Sequence, residues 1–167
     1  MGSGRASEFI EATALLRRIA LDSSACVYYL RSESRRGPLV WELLERAFGG
    51  SVRIHVPGIV QLELLVGPYR SGSREDLADV IALTEERPGV RTAPISKNVL
   101  IGAARVRAMT NLKIPDALVV ASASAGRCEG IVGNDSRFAV LNELRTLKFG
   151  ADEFQLPRYV HLDDYAT

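Results

Sequence analysis

Four acidic side chains stand beside apolar segments of this 167-residue chain. Burying an unpaired carboxylate is costly, and burying several together is costlier because like charges repel each other. Hard divalent cations bound by carboxylate oxygens relieve that repulsion, and Mg²⁺ often completes its shell with substrate phosphates. A metal-dependent hydrolase of phosphodiesters is therefore the first hypothesis. The candidate catalytic and metal-binding residues are Asp22, Glu63, Asp116 and Asp135.

Three of these acids also have a purely structural interpretation. Asp22 could cap the helix that follows it, and Asp116 could be a first-turn acid favoured by the helix dipole. Asp135, within an Asn-Asp-Ser segment, could be an ordinary turn residue. Glu63 lacks such an interpretation, because its helical neighbours three and four positions away are apolar residues and a glycine. The surrounding helix is apolar nearly all round, which predicts a buried helix and favours a functional role for Glu63.

The composition indicates one globular domain. Hydrophobic residues make up 47% of the chain, and 21 basic against 20 acidic residues give a net charge of +1. That balance argues against coating nucleic acid by bulk charge, although a local basic groove around an acidic centre stays open. No run approaches the ~20 apolar residues that span a bilayer, and the apolar stretch 9–25 is broken by charges, so we expect a cytoplasmic protein. The two cysteines lack the spacing of a zinc site.

Strand-like and helix-like segments alternate along the chain. This alternation predicts an α/β fold, with three α/β/α layers and a central parallel sheet. In such sheets ligands bind beyond the carboxyl ends of the strands, where we expect the four acids to meet. The predicted strands are 18–21, 52–56, 90–95, 130–132 and 159–162. The predicted helices are 23–30, 38–48, 57–67, 74–87, 96–109, 116–126 and 136–147.

We expect a single domain over residues 18–167, preceded by an N-terminal extension of residues 1–17. The apolar part of this extension, residues 9–16, is consistent either with an added helix or with a disordered leader.

Four motifs carry a resemblance to a known family. The segments LDSSA, LELLVGP, IPDALVVASA and GNDSRF begin at positions 21, 62, 114 and 133. Each is weak alone, but the ordered set resembles the PIN-domain nucleases, especially the VapC-like toxins of type II toxin–antitoxin systems. The resemblance covers roughly residues 18–162 and implies a PIN-like fold.

The resemblance implies an endoribonuclease that uses Mg²⁺ or Mn²⁺. Water would attack the phosphorus and leave a 5′-phosphate and a 3′-hydroxyl. The four acids match the acidic positions of the family, with Asp22 and Asp116 as direct metal ligands and the other two binding directly or through water. Ser24 matches a small polar position that lines the site, and Asn134 is a second candidate lining residue. Lys113 and Arg137 flank two of the acids and are the candidate RNA-binding residues.

The resemblance also implies partners. VapC-like proteins usually form homodimers and are silenced by an antitoxin whose C-terminal tail, often carrying an arginine, enters the acidic groove. An acidic pocket attracts that guanidinium for the same reason that it attracts a metal ion.

The chain departs from the family pattern at Gly133, where many relatives have Ser or Thr two residues before the last acid. The absent hydroxyl bears on the geometry around Asp135. Two alternatives to a toxin remain: a PIN nuclease of RNA processing that has no antitoxin, and a catalytically degenerate PIN module that binds RNA or protein. An aspartyl-phosphate phosphatase fits worse, because Ser24 stands where those enzymes need a second aspartate.

Overall fold

The computed structural model describes residues 3–144 and 155–166, so the predicted helical residues 145–147 lie outside the described part. Five strands form one parallel sheet in the order β3-β2-β1-β4-β5, which confirms the predicted α/β fold. The third strand ends two residues earlier than predicted, before Pro94, which has no N–H to donate to a ladder. The strands are β1 (Arg18–Leu21), β2 (Arg53–Pro57), β3 (Val90–Ala93), β4 (Gly130–Gly133) and β5 (Arg158–His161).

Eight α-helices of the described part flank the sheet. Two of them begin with a serine that accepts a backbone N–H: Ser96 accepts from Val99 at 3.3 Å, and Ser73 accepts from Asp76 at 3.1 Å. The helices are α1 (Ser3–Thr13), α2 (Ser23–Leu30), α3 (Gly37–Phe48), α4 (Gly58–Ser71), α5 (Arg74–Thr84), α6 (Lys97–Met109), α7 (Ile114–Ala125) and α8 (Val140–Leu144). None of these helices combines the length and apolar character needed to cross a membrane.

Three helical predictions are wrong in detail. The predicted helix 74–87 ends three residues earlier, at Thr84. Helix α4 does not stop near Pro68 but continues to Ser71, where Gly72 ends it in the left-handed conformation with φ +70°. Pro68 is tolerated because it lies in the last turn, where few residues depend on a continuous ladder. The predicted helix 136–147 begins instead as a 3₁₀ turn, Ser136–Ala139, before α8.

Helices cover both faces of the sheet. On one face Ile19 of β1 lies beside its register partner Ile54 of β2, and both are buried. On the other face the neighbouring His55 reaches α7, with Nε2 3.2 Å from Ser122 Oγ. Because helices cover both faces, the strands are short and largely apolar. The ends of the strands are the part of the sheet that a ligand can reach.

The N-terminal segment is a helix that packs on the domain. Phe9 of α1 is fully buried and meets the Tyr165 ring edge-on, with the ring centroids 5.4 Å apart. Arg46 of α3 donates to Thr13 at the end of α1, from Nη1 to Oγ1 at 2.9 Å and from Nη2 to the carbonyl at 3.1 Å. The extension therefore contributes a side chain to the hydrophobic core.

Replacing Phe9 with Ala should destabilise the protein by about 3–5 kcal/mol, because it leaves a cavity in the core. Urea denaturation followed by circular dichroism measures this change. The control is Ile10→Ala on the same helix, where the side chain is 40% exposed and we expect a loss below about 1 kcal/mol. Equal effects of the two changes would mean that α1 does not contribute to the core through Phe9.

Candidate functional site

The chain topology creates a crevice at the centre of the sheet. Strand β1 lies between β2 and β4, and the connections leaving β1 and β4 diverge at this point. Asp22 directly follows β1, and its N–H donates to the Val132 carbonyl of β4 at 3.0 Å. Asp135 comes two residues after β4. Ligands of open parallel sheets bind at such a switch point, beyond the carboxyl ends of the strands.

Asp22 is the most deeply buried acid of the site. It is 6% exposed, and burial raises its pKa from 3.8 to about 6, with the negative charges of Glu63 and Asp116 adding to the effect. Ser24 Oγ donates to Asp22 Oδ2 at 3.2 Å. Asp22 occupies the N-cap position of α2, but its carboxylate makes no capping hydrogen bond with the described first turn. Helix capping therefore does not explain why an acid stands here.

Asp116 lies in the first turn of α7, and its side chain is 14% exposed. Burial raises the pKa of Asp116, and the nearby positive charge of Arg137 opposes this increase. Arg137 Nη1 lies 2.9 Å from Asp116 Oδ2, yet that buried oxygen has no hydrogen-bond partner among the described residues. The guanidinium therefore forms an ion pair with this oxygen, but its N–H groups do not point at the oxygen as a hydrogen bond requires. One acceptor of Asp116 is thus left for another ligand.

Asp135 is joined to Arg137 by several bonds. Its carboxylate accepts from the Arg137 backbone N–H at 2.9 Å and from Arg137 Nε at 3.0 Å, and it also pairs with Nη2. These bonds hold the pKa of Asp135 below its usual value. Asp135 therefore has the structural role that its turn sequence suggests, because it caps the 3₁₀ turn that follows it. Arg137 links Asp135 to Asp116, which sequence reasoning did not predict.

Glu63 differs from its predicted environment. The prediction of a buried helix around it is wrong, because Glu63 is exposed and α4 buries only Val60, Leu64 and Pro68. Apolar residues on its other faces are open to solvent, so an all-apolar helix pattern did not mean an all-buried helix. Glu63 nonetheless lies close enough to Asp22 for its charge to raise the pKa of that residue. The exposed apolar residues of α4 are Leu62, Val66 and Tyr69.

The two predicted lining residues connect the ends of β1 and β4. Ser24 Oγ accepts from the Asn134 backbone N–H at 2.9 Å while it donates to Asp22. The Asn134 side chain points away from Asp22, donating from Nδ2 to the Tyr28 hydroxyl at 3.0 Å and accepting from the Asp163 N–H at 3.1 Å. Ser24 therefore contacts the acidic site directly, whereas Asn134 fixes the loop that carries Asp135.

The candidate RNA-binding residues occupy different environments. Lys113 is exposed immediately before α7. Its positive charge opposes the increase in the pKa of Asp116 that burial causes. Arg137 is about half exposed, but its guanidinium is already paired with Asp116 and Asp135. Lys113 is therefore open to solvent, whereas Arg137 is held by two carboxylates.

A tyrosine supplies a hydroxyl next to Gly133. A Cβ at position 133 would lie 2.9 Å from both Asp22 Cβ and Tyr159 Oη, so a side chain cannot be added there without a shift. Tyr159 Oη accepts from the Asp135 backbone N–H at 2.8 Å. Position 133 has no side-chain hydroxyl, but the Tyr159 hydroxyl of β5 lies next to it. Sequence reasoning missed Tyr159, because only the pairing of β4 with β5 brings it there.

In the described part of the chain, no three His, Cys, Asp or Glu side chains are arranged closely enough to hold a metal ion as they stand. The acids nevertheless interact through space. Asp22 is influenced by Glu63 and Asp116, and Asp116 by Asp135. These pairwise effects connect the four acids, which we call the acidic pocket, and Arg137 forms ion pairs with two of them.

The sequence matches the family model of the PIN domain over residues 19–144. The chain belongs to the PIN-domain family. No curated protein sequence matches it.

Solved structures with the same fold are VapC toxins and VapBC toxin–antitoxin complexes. VapBC2 from Rickettsia felis, bound to a promoter DNA fragment, has a TM-score of 0.58 and 18% identity, covering 74% of this chain and 92% of that one. DNA-bound VapBC from Salmonella typhimurium has a TM-score of 0.60 and 12% identity, covering 87% and 98%. VapC20 from Mycobacterium tuberculosis, a toxin that cleaves the sarcin–ricin loop, has a TM-score of 0.55 and 15% identity, covering 73% and 93%. At these identities the likeness defines the fold.

Replacing Asp22 with Asn should stabilise the metal-free protein at neutral pH. A carboxyl group whose pKa is raised on folding favours the folded state when protonated, and this contribution is lost as pH rises through about 6. We therefore expect Asp22→Asn to be more stable than the parent by about 2–3 kcal/mol at pH ~7.5, with a much smaller difference at pH ~4. Urea denaturation in the presence of EDTA measures both values.

The control for this experiment is Asp79→Asn, which makes the same charge change at an exposed position of α5. We expect its effect to stay within about 0.5 kcal/mol at both pH values. A gain from Asp22→Asn that is the same at both pH values would contradict a buried, ionised Asp22.

Proposed function

We propose that this protein is a divalent-metal-dependent endoribonuclease and the VapC-like toxin of a toxin–antitoxin pair. The observation that carries the proposal is the buried carboxylate of Asp22, which lies at the switch point of the sheet beside further acids and pairs with no cation among the described residues. Evolution can retain such a costly group when a ligand compensates for it. Family membership and the fold support this interpretation.

The donor set fits Mg²⁺ or Mn²⁺. It consists of carboxylate oxygens, which hard divalent cations prefer, and it includes the buried Asp116 Oδ2 that has no hydrogen-bond partner among the described residues. Asp22 and Asp116 would hold the ion directly, while Glu63 and Asp135 would bind it directly or through water. When bound, the ion would supply activation of water and stabilisation of charge on the reacting phosphate.

The side chains of the chain would orient the RNA and tune the acids. Lys113, exposed at the start of α7, would pair with a phosphate next to the scissile one. Arg137 would exchange its contact with Asp116 for a phosphate oxygen, since guanidinium pairs with both groups through the same geometry. Tyr159 and Ser24 would keep the ends of β4 and β1 in place through their bonds to Asp135 and Asn134.

Two features support a protein partner of the antitoxin type. The acidic pocket accommodates a guanidinium, as Arg137 demonstrates within the chain itself, so an arginine from an antitoxin tail would find two carboxylates to bind. In addition, α4 carries a largely apolar groove of about 580 Å³ on the helix that bears Glu63. Exposed apolar surface of this kind is typical of protein interfaces, either with an antitoxin or in the homodimer that we also propose. The groove is lined by Gly58, Gln61, Leu62, Leu65, Val66, Tyr69 and Arg70.

One observation favours a second candidate, a catalytically silent PIN module that binds RNA or protein. Arg137 already neutralises two of the acids, and no three ligands stand ready for a metal in the described part. Isothermal titration calorimetry separates the candidates. Saturable binding of Mn²⁺ that is lost in Asp116→Asn supports the nuclease, whereas no heat of binding supports the silent module.

Asp22→Asn and Asp116→Asn should each reduce Mg²⁺-dependent RNA cleavage by at least about a hundredfold, because each removes a charged ligand worth several kcal/mol. Gel analysis of labelled cellular RNA measures the rate, and EDTA should abolish it in the parent. Asp79→Asn, which makes the same chemical change far from the site, should cleave at the parental rate.

Parental cleavage by both site variants would show that the catalytic assignment is wrong. Cleavage that persists in EDTA would remove the metal from the proposal while leaving the nuclease. The folded state of each variant is checked by its unfolding midpoint, so that a loss of activity is not confused with a loss of structure.

A further inference from the structure

A second cavity lies mainly at the amino-terminal ends of the strands, away from the acids. It has a volume of about 720 Å³ and extends along the whole of β3 to Ala93 and Pro94. Arg18 and Arg53 are the first residues of β1 and β2, Arg91 is the second residue of β3, and Arg127 precedes β4. We call it the arginine cavity, after the five arginines that line it: Arg18, Arg53, Arg87, Arg91 and Arg127.

Strand register forces several of these charges together. Arg18 is the direct register partner of Arg53, and Arg91 is the partner of His55. Arg53 and His55 are two residues apart on β2, so the side chains of Arg18, Arg53 and Arg91 lie on one face of the sheet. Burial and the charge of Arg91 lower the pKa of His55, so this ring does not add to the positive charge. Like charges directly opposite each other on neighbouring strands are destabilising. The parallel sheet therefore collects positive charge on one face at its amino-terminal edge.

The protein itself compensates little of this charge. Glu86 is the one carboxylate among the lining residues, and it is 3.9 Å from Arg91 with both side chains mostly exposed, which makes a weak ion pair. Arg18, Arg53 and Arg127 form no ion pair through their side chains within the described ranges. Arg87 lies over the Phe48 ring at 4.9 Å, a contact that leaves its charge in place.

The nearest acceptors outside the lining are bonded to backbone N–H groups. Glu129 Oε2 accepts from the backbone N–H groups of Arg17 and Arg18, and the charge of this carboxylate remains next to Arg18 without an ion pair in the described ranges. The final carbonyls of α7, which would otherwise attract a guanidinium, accept from the N–H groups of Gly126, Arg127 and Cys128. The guanidiniums of Arg18, Arg53 and Arg127 therefore remain available to a ligand that enters the cavity, and Arg87 and Arg91 are held only by a ring contact and a weak ion pair.

The chemistry of this cavity selects phosphate groups. A guanidinium presents its N–H donors as a planar fork that matches phosphate oxygens. Five of them around one open cavity exceed what a single phosphate can use, so the matching ligand carries several phosphates along a flexible chain. The chain as a whole has a net charge of only +1, and Asp22 and Asp135 lie beyond the carboxyl ends of β1 and β4. This segregation of charge allows local attraction without bulk basicity.

We propose that the arginine cavity binds the phosphodiester backbone of the RNA, as a contact separate from the acidic site. Along β1 the rise from Arg18 to Asp22 is about 13 Å at ~3.3 Å per residue. Helices cover both faces of the sheet, so an RNA that contacts both edges follows the surface of the domain. We place the two contacts on separate segments of one folded RNA. The inference rests on the proposed ribonuclease function for the identity of its ligand.

The test measures RNA binding independently of cleavage. Asp22→Asn protein in EDTA is titrated against a fluorescent oligouridylate, with and without the added changes Arg53→Gln and Arg91→Gln. Loss of two phosphate contacts should lower the salt-dependence slope by about 1.4 and weaken binding at least about tenfold at ~0.1 M salt. The matched control is Arg31→Gln with Arg74→Gln, two exposed arginines outside the cavity, which should change affinity by less than about threefold.

Unchanged affinity in Arg53→Gln/Arg91→Gln, or an equal loss in the control pair, would overturn the proposal. ATP and pyrophosphate serve as competing probes. If either binds more tightly than the oligonucleotide and depends on Arg53 and Arg91, the cavity is a small-molecule phosphate site and the RNA proposal is wrong. A parent that cleaves no RNA refutes the ribonuclease but leaves the binding result standing, so the two failures are distinguishable.

Discussion

The buried carboxylate of Asp22 is the constraint around which this structure is organised. An ionised acid with 6% exposure needs local stabilisation, and the residues around it supply only part of it. Ser24 donates to Asp22 and Gly133 leaves room for it, whereas burial and the neighbouring acids raise its pKa and so oppose its ionisation. A pocket in this state is prepared for a cation, and the proposed function follows from that requirement.

Arg137 shows how the pocket is balanced in the absence of other ligands. Its guanidinium pairs with Asp116 and Asp135 and forms no direct ion pair with Asp22, whose charge acts on it only from a distance. The arrangement divides the four acids into a neutralised pair and an uncompensated remainder that includes Asp22. Three proposed ligands would change the pairing of Arg137 with Asp116 and Asp135. A metal ion or an arginine from another protein would replace Arg137 at the carboxylates, and an RNA phosphate would draw it away from them. This shared dependence connects the proposed catalysis with the proposed inhibition.

Parallel strands give the molecule its two charged edges. All carboxyl ends lie on one side of the sheet and all amino ends on the other, so acids placed after strands and arginines placed at their starts separate automatically. The same short strands keep the two edges about 13 Å apart along β1. Segregated charge with a net value near zero is thus a product of topology, and composition alone does not reveal it.

The sequence by itself determined the α/β class and most helix and strand positions, because apolar periodicity is a local property. It also predicted the four acids as the candidate site from ordered motifs. Contacts between distant segments were decided by the tertiary structure. Only the pairing of β4 with β5 brings the Tyr159 hydroxyl to Asp135, and only folding brings Arg137 to Asp116. The exposure of Glu63 could not be predicted from the local sequence either, because an apolar helix is buried only where another element covers it. The local sequence pattern specifies helices and strands, whereas burial and ion pairs depend on which helices and strands pack against each other.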